Sequence, residues 1–507
     1  MNDAEAPPPG YHPAPPPPAP PSYPYPYQTQ YQHQYPQLRP LDGPRSPAVD
    51  SRIVWFGPDG AVQYGSAYPP IPPPPRRRRR WPIWVTLGVV GVLVLCVAPA
   101  AFVASRLPLL PAEPASAADP TPGPAPSPGP NAPAKVRAAW VSDQIRTNLE
   151  KQAAALVKGD EKAYLGAADP KAGKVLTALK RRFASLRALR VSTYEQTIAS
   201  LPAPGGTAQR PVWNVKIEIR YCLVVRACQL DRVTVDTGWA ETAVGLRMAA
   251  LSDSGDLDNG PRPWEVSALR AAFGKRVVIA TTGRYAGKLP SLLRQAERAA
   301  AVADRFVIGG KRPDLYRIFV AGASDWKKWY GGDLPSWSVG FATGVSNGRM
   351  DVVLNLGEIQ TNYLDEVLRH ELGHVATLSA DDYADESDFW LVEGIAEFIQ
   401  ESGRSVSAYD GESAVRRYLN SGKWNGDVNV AAPSADTPDW QVAARYGIGY
   451  YAVRRMAERF GQPKMITFFT ELVLKRAGTL DGAARTAFGT SWADVNADCA
   501  RYVRRHA

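Results

Sequence analysis

The sequence predicts an α+β protein on a single transmembrane helix. A unit of helices followed by a curved antiparallel sheet comes first, then a unit with a small sheet and a mostly helical C-terminal part. Three observations predict this. Ile83 to Ala104 carry no charge. Val215, Ile217, Ile219 and Tyr221 alternate with Lys216, Glu218 and Arg220, the period of a half-buried strand. Leu364, Val367, Leu368, Leu372, Val375 and Leu378 recur at intervals of three and four, giving a helix one apolar stripe.

Residues 1–80 are dominated by Pro, Tyr and Gln and end in a run of arginines, Arg76 to Arg80. Such composition cannot bury a core, so the tail is expected to be disordered with polyproline II character. It reads as a solvated spacer, or as a docking tail for a cytoplasmic partner with proline-binding modules; Ile53-Val54-Trp55-Phe56 is an apolar island within it. The uncharged segment 83–104 is long enough, at 1.5 Å per residue, to cross a hydrocarbon core of about 30 Å. Positive residues stay inside. The expectation is therefore a single-pass protein of the cell membrane with a cytoplasmic N-terminus and everything after Ser105 outside. Ala115-Ser116-Ala117 offers a competing reading as a processing site, but a leading region of this length argues for an anchor. Residues 105–134 are rich in Pro, Ala and Ser and read as a semi-rigid stalk.

The remaining length is too great for one ordinary core, so two domains are expected, at 135–263 and 275–507. The first begins with helical segments at Trp140 to Gly159, Asp160 to Ala168 and Leu176 to Leu189. Strands follow, with Arg232-Val233-Thr234-Val235 and Val244-Gly245-Leu246 as neighbours of the alternating stretch. Helices first and a curved antiparallel sheet after resembles the nuclear-transport-factor-like, or cystatin-like, cone. No acid–base pair stands out in it, and it reads as a binding or spacer domain.

The chain has four cysteines. Cys96 lies in the apolar segment. Cys222 and Cys228 face an oxidising compartment if the topology holds. In one extended strand they would stand about 20 Å apart, so a disulfide requires a turn at Val224 to Ala227; two free thiols are the alternative. The formal charge of +10 owes five positives to the arginine run, which anionic lipid explains better than nucleic acid. No phosphate loop or nucleic-acid module is present in the sequence, and no nucleic-acid partner is expected.

The chemistry concentrates in His370-Glu371-Leu372-Gly373-His374. On a helix, residues i and i+4 share a face, so both imidazoles can reach one metal ion while Glu371 sits beside them to accept a proton from water. Only five histidines occur in the whole chain, and two are here. Eighteen residues separate His374 from Glu393 in Trp390-Leu391-Val392-Glu393-Gly394, which leaves room for Asp381 to Asp388 to turn as a loop and a second helix to return a third ligand. Leu391, Ile395, Phe398 and Ile399 would form its buried side. Glu393 and Glu397 are again i and i+4, which places Glu397 to hydrogen-bond a ligand imidazole. Two imidazoles, one carboxylate and an open position suit catalytic zinc. A histidine six residues after His374 would be the other familiar third ligand, but that position is Ala380.

These paired motifs resemble the gluzincin clan of zinc metallopeptidases, in particular the membrane-tethered bacterial branch related to the aminopeptidases, over roughly Lys275 to the C-terminus. The resemblance implies that His370, His374 and Glu393 hold one Zn2+ per chain, that Glu371 is the general base, and that the substrate is a peptide or protein. Tyr446-Gly447-Ile448-Gly449, opening an apolar helix from Tyr450 to Phe460, is similar to the Tyr-x-x-Gly of the aminopeptidases, which makes Tyr446 the candidate donor to the developing oxyanion. Tyr450, Tyr451 and His506 are competitors. Gly348 to Asn355 reads as a strand, and the resemblance makes it the sheet edge against which substrate lies: Asp351, Val352, Val353, Leu354 and Asn355. Asp351 stands where the aminopeptidases carry an amine-binding glutamate and Val352 where they carry asparagine, which leaves endo- and exopeptidase action both open. The expected function is a membrane-anchored extracytoplasmic zinc peptidase. The alternative is a non-catalytic ectodomain that binds envelope peptides or proteins on a degenerate peptidase fold.

Overall fold

A computed structural model describes residues 128–129 and 131–507, apart from 208–209, 226–227, 256–258, 310–311, 333–337, 347, 379–385 and 477. The expected tail, membrane segment, most of the stalk and most of the loop after Leu378 lie outside the described residues. Among those described, no helix is long and apolar enough to cross a membrane.

Three helices lead: α1 (Ala134–Lys158), α2 (Glu161–Leu165) and α3 (Gly173–Ala188). Val141, Ile145, Leu149 and Leu156 bury one stripe of α1, and Val175, Leu179, Phe183 and Leu186 one stripe of α3. Asp160 caps α2 by accepting from the Ala163 backbone N–H at 2.9 Å, which satisfies one of its orphan donors. Five antiparallel strands follow: β1 (Val191–Ile198), β2 (Ala203–Thr207), β3 (Arg210–Leu223), β4 (Asp231–Thr242) and β5 (Gly245–Leu251). They pair in the order β1-β3-β4-β5, with β2 also on β3. Val215, Ile217, Ile219 and Tyr221 are buried, so the alternation in β3 has its inward face where the period places it. Cys222 and Cys228 form a disulfide with their Cα atoms 6.1 Å apart. Val224 turns the chain between them with a left-handed φ of 69°.

The short helix α4 (Pro263–Val266) leads to a second sheet, made of β6 (Leu269–Phe273), β7 (Val277–Thr282), β8 (Tyr316–Ala321), β9 (Gly340–Ser346) and β10 (Arg349–Asn355). Its order is β6-β7-β8-β10-β9. The parallel pair β7 and β8 needs a crossover, which α5 (Leu289–Ala303) supplies, its Ala296, Ala299, Ala300 and Ala303 buried against the core. Helix α6 (Ala323–Trp326) follows β8.

Sheet order corrects one expectation. The stretch Asp351 to Asn355 is a strand but not an edge: β10 lies between β8 and β9. Val352, Val353 and Leu354 are all fully buried, as in a strand covered on both faces. The edge is β9.

The rest is helical: α7 (Leu364–Thr377), α8 (Phe389–Gln400), α9 (Glu412–Asn420), α10 (Asp439–Phe460), α11 (Gln462–Phe469), α12 (Leu480–Phe488) and α13 (Trp492–His506). Tyr446 corrects a second expectation, because it lies inside α10 and does not open the helix. Gly447 and Gly449 weaken a helix by propensity, but packing overrides this. A Cβ on Gly449 would stand 2.3 Å from the Trp390 carbonyl, and one on Gly394 would stand 2.6 Å from the Gly449 backbone. Helices α8 and α10 therefore touch backbone to backbone.

Residues Val141 to Ala507 belong to one compact unit, in which the two sheets meet through buried charge. Arg317 on β8 donates to Asp231 on β4 at 2.5 Å and to Asp351 on β10 at 2.5 Å. Arg349 also reaches Asp231, at 2.7 Å, and the Tyr330 hydroxyl donates to Asp351.

Candidate metal centre

Helix α7 carries His370, Glu371 and His374 on a turn that is buried throughout. Its neighbours Val367, Leu368 and Leu372 fill the core, which fixes the helix about its axis and aims both imidazoles at α8. A Cβ on Gly373 would touch the Ile399 side chain at 3.3 Å, so the two helices lie close. From α8, Glu393 Oε2 stands 3.1 Å from His370 Nε2 and 3.4 Å from His374 Nε2. The rings are 4.8 Å apart and tilted by 77°.

These three residues form a cluster whose ligand atoms all lie within 4.8 Å of one another, the one such group among the described residues. Two ligands each 2.0–2.1 Å from one ion at a tetrahedral angle would be separated by about 3.3 Å. The separations to Glu393 meet that requirement. The donor set of two nitrogens and one carboxylate oxygen suits zinc.

The electrostatics agree. Burial pushes the Glu393 carboxyl up, and the two imidazoles outweigh it and bring it down to about 2. Burial lowers His370, favouring the neutral form that a metal ligand needs, with the Glu393 contact working against that shift. Burial, reinforced by Glu393, raises Glu371 well above the usual carboxylate range, and its Oε2 is buried without a hydrogen-bond partner. A cation in the cluster would reverse that shift and give the carboxylate its charge.

Around the cluster, Glu397 Oε1 faces His370 Nδ1 at 3.7 Å. Gln400 Nε2 donates to Glu397 at 3.3 Å and to Glu401 at 3.1 Å, and Tyr409 hydrogen-bonds Glu397 as well. Burial, then Glu401, raises Glu397 strongly. Gln400 follows Glu397 by three positions on the same helix; Tyr409 carries no local signal.

Tyr446 is buried with its ring centroid 6.0 Å from that of His370 and 5.3 Å from that of Phe389. Its competitors are engaged elsewhere. The Tyr450 hydroxyl accepts from Arg454 at 2.9 Å, the Tyr451 hydroxyl donates to the His506 carbonyl at 3.1 Å, and His506 packs on Tyr502.

Asp351 does not stand at this site as an amine-binding group. Both carboxylate oxygens are committed, to Arg317 and to Tyr330. Its neighbours on β10 bond to strands on both sides. The strand edge beside the centre contains Gly340, where a Cβ would stand 2.6 Å from Glu371 Oε1.

No protein-family model matches the chain. No curated protein matches it either. Among solved structures it is similar to a mutant two-domain M1 zinc metallopeptidase crystallised with L-arginine, at 15% identity and a TM-score of 0.30. That match covers 61% of this chain and spans 62% of the other.

Proposed function

We propose that the protein is a zinc-dependent peptidase, anchored by one membrane helix with its catalytic part outside the cytoplasm. The observation that carries this reading is the buried convergence of His370, His374 and Glu393 with Glu371 adjoining it. His370, His374 and Glu393 would hold the ion, which would supply Lewis-acid activation of water and of the scissile carbonyl. Glu371 takes the proton of the attacking water as the new C–O bond forms, and returns it to the amine nitrogen as the C–N bond breaks. Glu397 faces His370 Nδ1 at 3.7 Å, longer than a hydrogen bond, and is the side chain placed to orient that ring; Gln400 and Tyr409 hold Glu397. Tyr446 is the candidate hydroxyl donor to the oxygen that gains charge.

The site of action rests on the arginine run, the uncharged segment 83–104 and a disulfide that favours an oxidising compartment. The test is zinc content and peptide cleavage of the wild type beside Glu371→Gln. Both proteins are expected to bind one zinc, and the variant to lose about 10²- to 10⁴-fold in rate. Equal rates would remove Glu371 as the base. A wild-type protein that binds zinc and peptides yet cleaves none would instead be the binding ectodomain.

A further inference from the structure

The edge strand β9 is stopped at its Gly344 end. Asn355 N donates to the Val339 carbonyl at 2.8 Å, so pairing between the two strands alternates from there. In an antiparallel ladder this turns the backbone groups of Gly340, Ala342 and Gly344 away from β10. Those three positions form the free edge. Gly340 lies at the Glu371 end, and its carbonyl accepts from Ser338 Oγ at 3.2 Å. At the far end the Gly344 carbonyl is already taken by Asn259 Nδ2 at 3.1 Å, and the Val345 carbonyl by Arg262 at 3.3 Å.

The segment that makes these contacts, Asn259 to Arg262, is the exit from the first sheet, and it is held firmly. Asn259 and Gly260 have left-handed φ of 58° and 73°. A Cβ on Gly260 would stand 2.2 Å from the Gly331 nitrogen. The Pro261 carbonyl accepts from Tyr330 N at 3.0 Å, and the Arg262 guanidinium lies 5.1 Å from the Tyr330 ring centroid.

From these contacts we infer that Asn259 and its neighbours limit substrate length on one side of the cleaved bond, given the peptidase reading above. A peptide adding to β9 bonds the Gly340 N–H and the backbone of Ala342, and meets Asn259 at Gly344. At ~3.4 Å per residue that is about 14 Å, or roughly four residues, from the Glu371 end. The segment leaving the first sheet would thus determine specificity, and the substrates would be short peptides or the ends of longer chains.

The experiment is cleavage of a diverse library of long peptides by the zinc-loaded full-length protein, with the positions of cleaved bonds read by mass spectrometry. Cleavage is expected only within about four residues of one and the same terminus. In Asn259→Gly, which keeps the left-handed backbone and frees the Gly344 carbonyl, bonds one or two residues further in should be cleaved about fivefold faster than by the wild type. Efficient wild-type cleavage more than about six residues from both ends, or an unchanged limit in Asn259→Gly, overturns the inference and leaves the peptidase reading standing. If no peptide is cleaved, both fall together.

Discussion

Gly340 and Glu371 are paired by shape: a Cβ on the glycine would stand 2.6 Å from Glu371 Oε1 and 3.1 Å from a Leu354 methyl. The first contact is far inside van der Waals range, and Glu371 is enclosed by the core of α7. Even an alanine must therefore move the carboxylate. Gly340→Ala is expected to bind zinc as the wild type does and to hydrolyse peptides about 100-fold more slowly, the scale of a misplaced catalytic group. Rates within about twofold of wild type would show that Glu371 does not work from its observed position.

Tyr446 makes a separable prediction. Its ring packs on Phe389, a contact that phenylalanine can reproduce, so Tyr446→Phe tests the hydroxyl alone. If that hydroxyl stabilises developing charge, kcat should fall about 10²- to 10³-fold while KM and zinc content hold. A fall in stability with kcat nearly unchanged would make Tyr446 a packing residue of α10.

What the sequence discloses here follows from the range of each interaction. His370 and His374 are legible because helical periodicity fixes their common face, and the i, i+4 relation makes Glu397 follow from Glu393. The alternation of β3 is local in the same way. Strand order is not local. Nothing around Asp351 distinguishes an edge from an interior strand; the unbroken run Val352-Val353-Leu354 signals burial on both faces, not a position in the sheet. Gly340, at the start of β9, is matched to Glu371 on a helix far along the chain, and only the packed fold brings them together. The start of α10 is obscured by Gly447 and Gly449, residues that read as helix breakers but serve close packing, Gly447 against Val415 of α9 and Gly449 against the backbone of α8.

Asp231 is the least legible of the consequential residues and gives a pH-dependent prediction. It is buried on β4, where it accepts from Arg317 and Arg349, far along the chain from it. Burial pushes its carboxyl up, but the two guanidinium groups more than reverse this and hold it below the ordinary value of 3.8. A carboxyl lower in the folded than in the unfolded chain contributes stability that is complete above the unfolded value. That contribution is lost as pH falls through the folded one. Asp231→Asn removes it at every pH and leaves Arg317 to Asp351 alone, for an expected loss of about 3–5 kcal/mol near pH 7 by denaturant titration. The gap between wild type and variant should then narrow as pH falls below about 4, because the wild-type carboxyl becomes protonated too. A gap that stays constant from neutral to strongly acidic pH would mean that Asp231 joins the sheets by shape and not by charge.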